Sequence, residues 1–181
     1  MKRVILIIMA LLPITAFAQF NLTPNGFITD DDKNYYVVEV NGTQEELFKK
    51  MKTVITEIMV SADDATSFNE YDIISLRMNV DKITYYKWAG FNYYWDCTAS
   101  FKILFKDGKI RFNAPTFDKR FQKWLGCGKR NPFTGANYLF NSTKNNEPYY
   151  KESVVEIENR INGIINNLID KVKDNNSVEE W

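Results

Sequence analysis

In the run Tyr93-Tyr94-Trp95-Asp96-Cys97-Thr98-Ala99-Ser100-Phe101-Lys102-Ile103-Leu104-Phe105-Lys106, large apolar side chains recur at every second position. A β-strand points successive side chains to opposite faces. Tyr93, Trp95, Cys97, Ala99, Phe101, Ile103 and Phe105 therefore form a dry row, and Asp96, Thr98, Ser100, Lys102 and Lys106 a wet one. Asp107-Gly108 follows at two-residue hairpin spacing, where a type I′ turn is expected. The returning strand, residues 109–117, carries Ile110 and Phe112 inward. An antiparallel sheet with one wet face must bury the other against something else, and the flanking segments supply it.

Upstream, Ile74, Leu76, Met78 and Val80 alternate and then give way to Ile83 and Tyr85, a slip that a bulge near Asp81-Lys82 explains. Further back, residues 34–40 are rich in β-branched and aromatic side chains and read as a strand. Thr43 then stands three residues before Glu46 as a capping box, opening a helix whose stripe is Leu47, Phe48, Met51, Val54, Ile55 and Ile58. Burying those six at roughly 1.5–3 kcal/mol each outweighs any helix propensity. Downstream, residues 118–150 lose periodicity and read as a loop-rich insertion punctuated by glycine and proline. A second amphipathic helix spans about residues 152–173, with Val154, Ile157, Ile161, Ile164, Ile165, Leu168 and Val172 as its stripe.

The chain opens with Lys2-Arg3, an apolar run from Val4 to Leu12 and the triplet Ala16-Phe17-Ala18, the order of a secretory signal peptide. Residues 1–18 are the expected leader and residues 19–181 a single α+β domain. With the leader gone the 23 basic residues lose two and the 23 acidic ones none, so the net charge becomes −2. Nucleic-acid binding shows as a concentrated positive field, and this balance argues against it. In an oxidising compartment Cys97 and Cys127 are expected to pair, which would contribute about 3.7 kcal/mol by loop closure; two separate thiols are the alternative.

The sequence contains no histidine, which removes the commonest general base and metal ligand and excludes a Ser-His-Asp triad. No metal site, phosphate loop or dinucleotide fingerprint is present, and no cofactor is expected. Glu57, Asp63, Asp64, Glu70 and Asp72 are the carboxylates from which a glycosidase pair would have to come. Asp30-Asp31-Asp32 lacks the alternating spacing of a calcium loop and reads as a solvated turn. The densest feature is aromatic: Tyr85, Tyr86, Trp88, Phe91, Tyr93, Tyr94 and Trp95. Alternation forbids them all from facing the core, so Tyr86, Trp88 and Tyr94, with Trp124 of the insertion, are the candidate ligand-binding residues. Burial of the cluster beneath the insertion is the alternative.

This order of strand, capped helix, meander with the Phe101–Phe112 hairpin and long C-terminal helix resembles a family of exported bacterial domains of unknown function. Their fold is similar to that of the TATA-binding protein. The resemblance implies a curved antiparallel sheet of about four to six strands with two helices on one face, and no activity, since function resides in sites. A non-enzymatic binding or interaction module, periplasmic or secreted, is the resulting expectation, its partner an envelope protein, peptide or glycan. The alternatives are a cell-envelope hydrolase using paired carboxylates and a structural subunit that pairs an edge strand with a partner. Mass spectrometry of the protein recovered from its native envelope is expected to find Gln19 as the first residue; an intact Met1 terminus would contradict the leader.

Overall fold

The computed structural model describes residues 20–59, 66–88, 90–129 and 138–174. The expected leader, residues 130–137 of the insertion and the tail after Asp174 lie outside them. The elements are β1 (Asn21–Thr23), β2 (Gly26–Ile28), β3 (Tyr35–Glu39), α1 (Gln44–Ile58), β4 (Thr66–Asn69), β5 (Ile73–Trp88), β6 (Phe91–Lys106), β7 (Lys109–Asn113), β8 (Thr116–Phe117), α2 (Lys119–Leu125), β9 (Cys127–Gly128), β10 (Phe140–Asn141) and α3 (Lys151–Asp174). The main sheet is six-stranded and antiparallel, in the order β3-β7-β6-β5-β4, with β8 on β6. The architecture is α+β.

The alternation of β6 decides which face is covered. Cys97, Ala99, Phe101, Ile103 and Phe105 are buried, whereas Lys102 and Lys106 are exposed. On the dry side lie α1, through Leu47, Phe48, Met51, Val54 and Ile55, and α3, through Ile157, Ile161, Ile165, Leu168 and Val172. Ile58, the sixth member of the expected α1 stripe, falls at the helix end and stays 37% exposed. The capping box forms: Glu46 N–H donates to Thr43 Oγ1 at 3.3 Å and Thr43 N–H to Glu46 Oε2 at 2.7 Å. These bonds hold the Glu46 carboxyl below its usual range.

Several local expectations change in detail. The slip in β5 is a bulge in which Val80 pairs with Cys97 and Thr84 with Trp95, so three residues oppose Asp96 alone. Lys82, at φ 49°, donates its N–H to Asp96 Oδ1 at 2.7 Å. Because the bulge adds two residues, the phase is restored beyond it: Ile83 is buried within it, but Tyr86 rather than Tyr85 continues the inner row. At the Asp107-Gly108 turn only Gly108 has positive φ, 71°, so the turn is not type I′. It is held from outside instead, by Gln44 N–H on Asp107 Oδ1 and by Gly108 N–H on the Gly42 carbonyl.

The expected returning strand is two strands, broken before Thr116 by Pro115, which has no N–H to donate. A third helix, α2, stands in the insertion, where the sequence shows no periodicity, so the described residues hold three helices rather than two. The chain before β3 also forms a hairpin, β1–β2, held to α3 by side chains. Leu22 N–H donates to Glu158 Oε1, and Phe20 exchanges two bonds with the Asn162 amide. Thr43→Ala is expected to lower stability by about 1 kcal/mol, which shifts Tm down by roughly 2–4 °C in a calorimetric scan. An unchanged Tm would show that the cap does not hold α1.

Candidate functional site

Beyond Val80 and Cys97, β5 and β6 pair only with each other among the described residues, forming a two-stranded arm closed by Trp88 opposite Phe91. An isolated hairpin is marginal in water, so cross-strand pairs must support it. Tyr86 stacks on Tyr93 with centroids 5.4 Å apart and also meets Tyr150 at 5.6 Å. On the other face Tyr85 meets Tyr94 at 5.8 Å, and the Lys82 ammonium lies 5.5 Å from the Tyr94 ring. Burial raises the Tyr86 phenol, with Tyr150 and Tyr93 adding to it.

Side chains of α3 clamp the base of the arm. Ser153 Oγ donates to the Tyr85 carbonyl at 2.7 Å, while Glu156 Oε2 accepts from Tyr85 N–H and Thr84 Oγ1. Rigid at its root, the arm presents Phe91, Tyr94 and Tyr93 at 69%, 55% and 39% exposure. Of the candidate residues, Tyr94 is exposed and Tyr86 half-buried, whereas the Trp88 side chain lies outside the described part.

Trp124 does not join them. It is 4% exposed, stacked on Trp95 at 5.3 Å and against Phe121 at 5.6 Å, so no ring face is left for a ligand. The reason lies in α2: Phe121, Trp124 and Leu125 sit at i, i+3 and i+4 and turn one face onto the sheet. Asp118 caps this helix, accepting from Arg120 N–H and Phe121 N–H, and also accepts from Thr98 N–H of β6. Burial works to raise its carboxyl, but these backbone bonds outweigh burial and hold it below the usual range. The Asp118 cap followed by this triplet was the signal that could have revealed α2.

The outer face of the sheet is the second surface, and no described element covers it. Two hollows adjoin there. One of about 500 Å³ is lined by Ser67, Ser75, Arg77, Ser100, Lys102 and Asn113. The other, of about 460 Å³, has Val37, Ile73 and Leu104 on its floor and Lys106, Lys109 and Arg111 on its rim, together with the carboxylate of Asp72. Arg111 is fixed, its guanidinium 3.8 Å from the Tyr35 ring centroid and its Nε donating to Asn113 Oδ1. Lys109 pairs with Glu39 at 3.6 Å, while among the described residues no carboxylate pairs with Arg77 or Lys102. Sequence reading identified this face as wet but not as cationic, because the strand alternation shows which side chains share a face but not which carboxylates pair with them.

Glu57, Glu70 and Asp72 are exposed, and Asp63 and Asp64 lie outside the described residues. Among the described residues no three acidic or cysteine side chains gather as metal ligands. The expected pairing of Cys97 with Cys127 is corrected: both thiols are free. Cys97 faces the core from β6, and Cys127 sits beyond α2 on β9, its Sγ donating to Asn146 Oδ1 at 3.1 Å.

Burial pushes the Cys97 thiol from 9.0 up to about 12, with Asp118 and Asp96 adding to the shift. A raised folded-state value favours the protonated native form, so this contribution is intact below pH 9 and lost as pH rises toward 12. Without reductant, the denatured protein is expected to titrate two thiols. The native protein at pH 8 should leave Cys97 unlabelled, and its Tm should fall as pH climbs above 9. A single mass species lacking free thiols would restore the disulfide.

No protein-family model matches the chain, and no curated protein matches it. Among solved structures it is similar to a DUF4468 family protein from Bacteroides ovatus, a bacterial domain of unknown function. That likeness has 9% identity and a TM-score of 0.46, covering 76% of this chain and 84% of the other.

Proposed function

We propose that the protein is a non-enzymatic binding module, periplasmic or secreted, that holds an anionic segment of an envelope protein, peptide or glycan on the outer face of its sheet. The observation that carries this reading is the pair of adjoining hollows with Arg77 and Lys102 unneutralised and Arg111 held in place. Arg111, already held by Tyr35 and Asn113, loses little further conformational freedom when it meets a carboxylate, sulfate or phosphate, while Arg77 and Lys102 add unneutralised charge and the hydroxyls of Ser67, Ser75 and Ser100 can donate to the same oxygens. The apolar floor at Val37, Ile73 and Leu104 would take a neighbouring hydrophobic group. A helix-covered face opposite a free one also fits the TATA-binding-protein-like arrangement that the resemblance implies. The balance of 23 basic and 23 acidic residues argues against a nucleic-acid backbone as the partner.

A photo-crosslinking residue placed at Ser75, in the middle of the free face, is expected to trap a partner in cells. The same residue at Thr53, on the solvent side of α1, is expected to trap none, and Arg77→Glu with Lys102→Glu should abolish the Ser75 adduct. Equal adducts from both positions, or none from Ser75, would remove the reading.

A further inference from the structure

Residues 82–95 contain seven aromatic side chains, two lysines and no carboxylate. The structure places Lys87, Phe91 and Tyr94 along the arm and Lys82 in the bulge at its root, where the Lys82 N–H donates to Asp96. From Thr84 to Trp88 the strand extends about 14 Å at the usual rise per residue. Phe91, the most exposed large apolar residue among the described ones, lies at the closing pair, and Tyr94 projects from the opposite face nearer the bulge, with the ammonium of Lys82 beside its ring. Lys87 is exposed and, by alternation with Tyr85, lies on the same face as Tyr94.

Phe91 and Tyr94 line none of the hollows described, whereas small-ligand sites are concave. The hollow beside the arm, of about 240 Å³, lies at its base between Tyr86, Tyr150 and Lys151. Amphipathic rings flanked by ammonium groups match the headgroup layer of a bilayer. Tyr and Phe rings rest there at the boundary of the acyl chains, and lysines meet the lipid phosphates.

We propose that the arm is a membrane-contacting hairpin that seats Phe91, Tyr93 and Tyr94 in the interface of an anionic bilayer, with Lys82 and Lys87 against lipid phosphates. The α3 clamp at Tyr85 makes the arm a rigid strut, so the tip reaches lipid while the free sheet face remains in water. This surface is distinct from the sheet face, and either proposal stands if the other falls.

The test uses the chain from Gln19 and sedimentation with vesicles of phosphatidylcholine, alone and mixed with phosphatidylglycerol. Binding is expected to the mixed vesicles, weakening with added salt, and not to phosphatidylcholine alone. Phe91→Ala with Tyr94→Ala should lower partitioning by about tenfold or more, the loss that follows when rings no longer leave water. Lys82→Glu with Lys87→Glu should reduce binding to the level seen with phosphatidylcholine, while Lys173→Glu at the far end of α3 changes nothing. Circular dichroism melts matching the parent protein would show that the variants fold. No binding, equal binding to both vesicles, insensitivity to the arm variants, or an equal loss with Lys173→Glu would each overturn the proposal.

Discussion

The alternation of β6 between a dry and a wet face is the constraint on which the rest of the molecule depends. β6 bonds to β5, β7 and β8, so its pleat sets the pleat of every strand beside it. Its dry row from Cys97 to Phe105 meets the stripes of α1 and α3, and the same row continues through Trp95 to the α2 platform. Slipping β6 by one residue would put Phe101, Ile103 and Phe105 in water and Lys102 in the core, a loss of many kcal/mol. Both candidate surfaces follow from this register. The wet row is the floor of the free face, and the continuation of the strand beyond Cys97 is one side of the arm.

Elements with long, regular patterns were legible in the sequence. The β6–β7 hairpin, the capping box and both long helices announce themselves through repeated spacing that burial then enforces. Short elements were not. β1–β2, β4, β8 and α2 are stabilised by contacts with distant parts of the chain, such as Glu158 and Asn162 of α3 on Leu22 and Phe20, and Asp118 on Thr98. Local propensity records none of those contacts. The bulge shows a finer limit: the change of phase marks its position, but not whether one residue or two are inserted, and that count decides whether Tyr85 or Tyr86 faces inward.

The site was legible in part for a related reason. Alternation requires some of the aromatic cluster to be exposed, and Tyr94 is. It cannot say which aromatic of the insertion becomes core, because Trp124 is buried by α2 packing on Trp95, two segments about thirty residues apart. The cationic sheet face was invisible to the balance of 23 basic and 23 acidic residues, since Arg77, Lys102 and Arg111 are neighbours only after three strands align.

How the sheet ends bears on what kind of recognition the fold permits. The β5 edge beyond the bulge is met by Ser153 and Glu156, which bond the Tyr85 carbonyl and N–H that an added strand would use. β1 is met likewise by Glu158 and Asn162. The outermost strands of the main sheet, β3 and β4, are five and four residues long, and β3 places the exposed Glu39 on its edge. Short, charged or capped edges are the devices by which proteins suppress strand addition. Recognition by backbone pairing, on which a structural-subunit reading depends, is therefore the mode this fold obstructs most, whereas recognition by side chains on a face or at a tip is left unobstructed.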